Sequence, residues 1–195
     1  MTLKKNGEDR RLREAACDGL GKPELVHENP WFRVCNRGGY FTTEPVQRGL
    51  AVLPVVEGRG IVLIRSRRPV VNDTPLEIPA GGIGDDEEPR AGASRELAEE
   101  TGVRIGDLSR FEMLPPLSHS TNRNPMLFYV YKVVITAGEF ENRGPHDHEV
   151  ESVHLYSFDE IRKMIRSGEM YVAVPIAIIL RFLDNPETRA GRRGK

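Results

Sequence analysis

Three carboxylates, Glu96, Glu99 and Glu100, stand at i, i+3 and i+4 in a window that predicts a helix over Pro89–Thr101. That spacing brings all three onto one helix face, where like charges repel by roughly 0.2–0.5 kcal/mol per pair. They need counter-charge, and divalent cations supply it most directly. An all-oxygen donor set suits Mg²⁺, with Mn²⁺ as the alternative, and does not suit zinc. Mg²⁺ usually keeps several waters and is shared between carboxylates and substrate phosphates. The implied substrate is therefore phosphorylated, and the implied chemistry is hydrolysis of a phosphoanhydride. The glycine pair Gly81-Gly82 just ahead of the helix lets the backbone approach such a substrate closely.

These side chains require a scaffold that the pattern also outlines. For the helix itself, Asp85 or Asp86 can cap the start, Pro89 suits the first turn and Gly102 suits the residue past the end. Ala93 and Leu97 lie beside the carboxylate face and would anchor it to a core. Upstream, Trp31–Cys35 and Gly39–Thr43 read as strands, and Leu50–Val56 with Ile61–Ile64 as a hairpin. Leu76-Glu77-Ile78 is a short strand, and Arg65–Thr74 a loop. Downstream come strands at Met126–Ile135 and Glu149–Phe158, then helices over Asp159–Ile165 and Val172–Asp184. Residues 1–28 read as a tail or short helix with a linker. Strands, a helix, more strands and two helices fit an α+β or mixed α/β domain with helices packed on a central sheet. The strands before residue 45 could form a small separate sheet able to pair with a second chain.

Composition narrows the class. The 195 residues suggest one domain with a small appendage, and 38% hydrophobic with 29% charged residues is a globular balance. With 28 basic and 29 acidic side chains the net charge is −1, which argues against a nucleic-acid partner. Small basic clusters occur at Lys4-Lys5, Arg65–Arg68 and Arg189–Lys195. No apolar run approaches the ~18 residues of a membrane span and the N-terminus has no secretory pattern, so a cytoplasmic location without a membrane partner is expected. Cys17 and Cys35 have no CxxC companion, which disfavours a disulfide framework or a thiolate zinc site. Seven carboxylates nonetheless crowd into the sixteen residues Asp85–Glu100. For Asp85, Asp86 and Glu88 a solvated acidic face is the simplest explanation.

The run Gly81-x5-Glu87-x7-Arg95-Glu96-Leu97-x-Glu99-Glu100-x-Gly102-Val103 resembles a complete Nudix box, with every fixed position filled. Seven fixed positions at about 7% usage each coincide by chance about once in 10⁸ registers. The resemblance implies a Nudix α/β/α sandwich around a mixed sheet, with a small N-terminal β extension. It also implies hydrolysis of a nucleoside diphosphate linked to another group, with divalent metal. By the same resemblance Glu96, Glu99 and Glu100 are metal ligands, Arg95 orients them, and Glu87 supports the start of the helix. Residues 46–185 would form the hydrolase domain, 1–45 a tail with the β extension, and 186–195 a basic tail.

Outside the box, Leu76-Glu-Ile-Pro-Ala-Gly-Gly82 is similar to the LE-x-PAG stretch of ADP-ribose and nucleotide-sugar pyrophosphatases. That subgroup implies the carbonyl of Ala80 as a further metal ligand, and Glu77, Gly81 and Gly82 at the substrate. An arginine-bearing stretch like Ile64-Arg-Ser-Arg-Arg68 implies that Arg65 or Arg68 holds the diphosphate or terminal ribose. The polar loop His119–Pro125 offers Arg123 to a sugar or phosphate. Members often supply the general base from a late acidic loop, here Gly144–Glu149, which points to Glu149 first and Glu151 second. Relatives of this kind are commonly homodimers built through N-terminal strands, with Trp31, Phe32 and Tyr40 in the matching region. The proline usually found about fifteen residues beyond the box is replaced by Ser118-His119-Ser120, with prolines earlier at Pro115-Pro116, so a GDP-hexose competes with ADP-ribose as substrate. The expected reaction is Mg²⁺-dependent cleavage of ADP-ribose or a related nucleoside diphosphate sugar to nucleoside monophosphate and sugar phosphate. The alternatives are a non-catalytic ADP-ribose sensor and a pyrophosphohydrolase of another nucleotide.

Overall fold

The computed structural model describes residues 9–185. The basic clusters expected at Lys4-Lys5 and Arg189–Lys195 lie outside those residues. Strands β1 (Glu24–Glu28), β2 (Phe32–Arg37) and β3 (Tyr40–Pro45) form an antiparallel three-stranded sheet. The main sheet contains β4 (Arg48–Val56), β5 (Gly60–Ser66), β6 (Leu76–Glu77), β7 (Ala80–Ile83), β8 (Phe111–Leu117), β9 (Phe128–Ile135) and β10 (Val150–Tyr156). Its order is β10-β5-β4-β9-β8, with β6 paired to β5 and β7 to β4. The β4–β9 pairing is parallel and the others antiparallel, which makes the sheet mixed.

Strand β4 shows why the molecule has three layers. Leu50, Val52 and Val56 join one buried cluster with Ala93 and Leu97 of helix α1 (Pro89–Thr101). Ala51, Leu53 and Val55 face the opposite cluster, with Ile161 and Met164 of α3 (Phe158–Ser167) and Ile178, Ile179 and Leu183 of α4 (Ala173–Leu183). A strand covered on both faces reads as a continuous apolar run, as Leu50–Val56 does. Along its other edge β4 pairs with β7 up to Ala51 and with β5 only from Val55. Pro54, without an N–H, falls where that partner changes. The divergence of β4 from β5 admits β6 and β7, and so brings the glycine pair under α1.

Several expectations need correction. Glu24–Glu28, expected within a linker, is a strand exposed along its whole length, which hides any alternation. Leu12, in a 3₁₀ turn, is fully buried against the core on the α1 side. Strand β8 has no strand-like pattern in sequence because Pro115 and Pro116 interrupt it. They are tolerated at the sheet edge, where the register with β9 shifts between Leu114 and Leu117. A short helix α2 (Ala137–Glu141) with a Thr136–Glu139 capping box was also unmarked. The cap of α1 is Glu88, which accepts from the Arg90 and Ala91 N–H groups, and neither Asp85 nor Asp86 fills that role. Glu88 is therefore more than a solvated charge.

Candidate active site

Helix α1 carries the carboxylates, and its position is set from below by burial. Ala93 and Leu97 are fully buried. Burying a leucine side chain contributes ~1.5–3 kcal/mol, enough to hold the helix against the repulsion on its other face. The helix ends where Gly102 takes φ 76°, in the left-handed region. A Cβ there would also lie 2.0 Å from the Gly144 carbonyl oxygen, so glycine is needed on two counts.

Arg95 is the hub of the face. Its guanidinium donates to Glu87 at 2.9 and 3.0 Å, to Glu96 Oε1 at 2.8 Å, to Glu99 Oε2 at 2.9 Å and to the Gly82 carbonyl at 2.8 Å. Glu87 is held below the usual carboxylate range, chiefly by those bonds from Arg95. Burial dominates for the next two. Glu96 is pushed upward by desolvation despite its bond to Arg95, and Glu100 is pushed up to about 8 for the same reason. The Glu100 carboxylate accepts from the Ala80 N–H at 2.8 Å. Glu96 lies so close to β7 that a Cβ on Gly81 would meet its Oε1 at 2.2 Å. Gly82 is similarly crowded, by Gln47 Oε1 at 2.2 Å.

A second group adjoins the first across Glu100. Arg68 binds Glu77 through two bonds, at 3.2 and 2.5 Å. Its guanidinium is raised mainly by that pairing and also feels the charges of Glu100 and Glu149. Arg68 and Glu149 line a cavity of about 540 Å³ with Arg67, Asp73, His148 and Glu151. The late loop is fastened to α1, with the Asp147 N–H donating to the Glu99 carbonyl at 2.8 Å and its carboxylate accepting from the Glu149 N–H at 2.8 Å. A loop that reads as free in sequence is thus tied to the helix bearing the carboxylates.

A family model for the NUDIX domain matches residues 45–173, more than half of the chain. The chain belongs to the Nudix domain family. Over 124 residues it is 27% identical to the ADP-ribose pyrophosphatase of Bacillus subtilis (strain 168), covering 64% of this chain and 65% of that protein. Over 59 residues it is 41% identical to the ADP-sugar pyrophosphatase of Mus musculus, covering 28% of this chain and 27% of that one. The matches thus span less than two thirds of the length of either relative. The fold is similar to the crystal structure of an ADP compounds hydrolase, with a TM-score of 0.62, 17% identity, and coverage of 87% of this chain and 98% of that one.

Within this Nudix domain, Ala80, Gly81, Gly82, Arg95, Glu96, Glu99 and Glu100 come together, with Arg68, Glu77 and Glu149 beside them. Two residues expected at the substrate are engaged elsewhere. Arg65 donates to the Thr74 carbonyl at 3.0 Å and pairs with Glu169 at 3.5 Å, which spends its charge on fixing the loop base. Arg123 stacks over the Tyr40 ring at 4.8 Å and donates to the Phe41 carbonyl at 3.2 Å, beside a separate cavity of about 430 Å³. Sequence reasoning missed Arg48, Gln47 and Asp147, for which no local pattern gives a signal.

The site suits a hard divalent cation by the chemistry of its donors. Glu96 and Glu100 are carboxylates whose charged forms burial disfavours, and a cation would relieve that penalty. Among the described residues no three acidic, histidine or cysteine side chains converge as a finished coordination set. Glu96 and Glu99 turn to Arg95, and Glu100 to the Ala80 N–H.

Proposed function

We propose that the protein is a Mg²⁺-dependent pyrophosphohydrolase that cleaves ADP-ribose or a related nucleoside diphosphate sugar into a nucleoside monophosphate and a sugar phosphate. The observation that carries this reading is the juxtaposition of the Glu96–Glu99–Glu100 face with Arg68 and the polar cavity beyond it. The names of the two relatives support the substrate class. Glu96, Glu99 and Glu100, with Ala80, would hold Mg²⁺, with Mn²⁺ as a substitute. When bound, the metal supplies polarisation of the phosphoryl oxygens and an activated water.

The chain's own residues divide the remaining work. Arg95 fixes the orientation of Glu96 and Glu99. Arg68, held by Glu77, presents a fixed cation to the diphosphate. Glu149, across the cavity, accepts the proton of the attacking water, with Glu151 next in line. The cavity is lined by both arginine donors and carboxylate acceptors, which suits a hydroxyl-rich sugar. A homodimer through the N-terminal sheet is part of the reading. Trp31, in the bend before β2, is 74% exposed, and Leu25, Val26 and Phe41 on the sheet are also exposed, leaving apolar area there to cover. No helix among the described residues is long and apolar enough to cross a membrane, and a cytoplasmic location is proposed.

The test is a panel of nucleoside diphosphate sugars, dinucleotides and triphosphates incubated with Mg²⁺, with products identified chromatographically. ADP-ribose or another nucleoside diphosphate sugar should give the highest kcat/KM. Tight binding of ADP-ribose without product would favour a sensor, and preference for triphosphates would refute the substrate class.

A further inference from the structure

Arg48 opens β4 and lies outside the fixed positions of the box. Its Nη2 donates to two backbone carbonyls, Gly84 at 3.1 Å and Glu87 at 2.9 Å. Those residues close the turn that leads into α1. The Glu87 N–H donates to the Gly84 carbonyl at 3.1 Å, and the Gly84 N–H donates to Glu87 Oε2 at 3.0 Å. The turn and helix cap hold four consecutive carboxylates, Asp85 to Glu88, whose mutual repulsion opposes so tight a bend. Pairing of β7 with β4 ends at the Arg48–Ile83 register. Beyond that point Arg48 reaches forward from the sheet and ties the acidic turn to it.

We infer that Arg48 is a positioning residue for the carboxylate cluster, acting through the 84–87 turn, Glu87 and Arg95. The contacts are continuous. Arg48 holds the Glu87 carbonyl, the Glu87 carboxylate holds Arg95 at 2.9 and 3.0 Å, and Arg95 Nη1 holds Glu96 and Glu99 at 2.8 and 2.9 Å. Every link has an ionised partner, which makes such bonds about twice as strong as neutral ones. Glu87 is confined from the helix side too, because a Cβ on Gly92 would stand 3.1 Å from both Glu87 Oε2 and Leu50 Cδ2. With Arg48 gone, the turn can relax away from β4. Glu87 must then shift or release Arg95, and the helix face loses its set orientation. A lysine would retain the charge but bring a flexible point donor where Arg48 brings a rigid planar one.

The inference rests on the proposed reading that Glu96, Glu99 and Glu100 hold a divalent cation. It is tested on the full chain by titrating Mn²⁺ and following free Mn²⁺ by electron paramagnetic resonance. Mg²⁺ half-saturation of ADP-ribose turnover is measured in parallel. Arg48→Met should weaken Mn²⁺ binding about tenfold, the scale for losing a residue that orients a ligand. The Mg²⁺ half-saturation should rise with it while KM at saturating Mg²⁺ stays level. Glu87→Gln should behave alike, and combining the two should cost little more than either alone. Thermal melting checks the fold, and if Arg48→Met melts early, Arg48→Lys carries the same test with a smaller loss. Wild-type Mn²⁺ affinity in a folded variant would overturn the role of Arg48 alone. Absence of Mn²⁺ binding to the wild type would overturn the metal reading and this inference with it.

Discussion

Replacing Gly81 with alanine isolates the fit between β7 and the carboxylate cluster. The added methyl would stand 2.2 Å from Glu96 Oε1, 2.3 Å from Cδ and 2.4 Å from Oε2, where ordinary contact begins near 3.4 Å. The carboxylate must therefore retreat by roughly 1 Å, and it cannot do so and keep its 2.8 Å bond from Arg95. Losing one hydrogen bond between charged groups costs ~1.5–3 kcal/mol. Felt fully in the transition state, that is about a 10- to 100-fold loss of kcat. Stability should fall by no more than the worth of that bond, because Gly81 is not among the residues with positive φ and alanine adds no backbone strain there. The assay is kcat for ADP-ribose at saturating Mg²⁺, with a thermal melt of the same sample. Glu96→Asp supplies the control, since the shorter side chain leaves room for the methyl. On that background Gly81→Ala should cost less than about threefold, the mark of a pairwise clash. Wild-type kcat in Gly81→Ala, or an equal penalty when Glu96→Asp is already present, would refute the argument.

Other expectations concern the base, the fold and assembly. Glu149→Gln should lower kcat by about 10²-fold while leaving Mn²⁺ affinity intact; an unchanged rate would transfer the role to Glu151. Glu139 is held at about 2, chiefly by its bonds from Arg110, below its ordinary 4.5. The stability it contributes is present above pH 4.5 and is lost as pH falls toward 2. With the pair about a third exposed, Glu139→Gln should cost roughly 1 kcal/mol in urea unfolding at pH 7, and that cost should shrink on acidification. A pH-independent cost would contradict this. Phe41→Glu, on the exposed face of the N-terminal sheet, should yield monomers by light scattering, and an undiminished mass would argue against that interface.

The sequence disclosed what is local. Helix α1 was legible from the first-turn Pro89, the terminal Gly102 and the spacing of three glutamates, because helix ends and faces are short-range properties. Its true cap, Glu88, was obscured because four neighbouring acids could each have served. Leu50–Val56 was legible as an apolar strand, while its burial on both faces emerges only once the helices pack on the sheet. Strand β1 was not, since it is exposed on both sides and has no periodicity to detect. At the site, spacing placed the three glutamates on one helix face, and the resemblance to the Nudix box added Arg95, whose guanidinium does meet Glu96 and Glu99. The partners of Arg65 and Arg123 depend on where loops return across the fold, with Arg65 meeting Glu169 and Arg123 meeting Tyr40, and no local pattern encodes such meetings. Arg48 was invisible for the same reason, as its acceptors are backbone carbonyls 36 and 39 residues away.

The central claim is that the glutamate face of α1 performs the cleavage. Its most direct test is turnover of ADP-ribose by Glu99→Gln and by Glu100→Gln beside the wild type, with Mg²⁺ saturating and AMP quantified. Glutamine keeps the size of each side chain and removes its charge, so circular dichroism and melting should stay close to wild type. AMP formation should fall by more than about a hundredfold, the upper range for removing even a residue that merely orients a metal ligand. Near-normal AMP formation by either folded variant would contradict it.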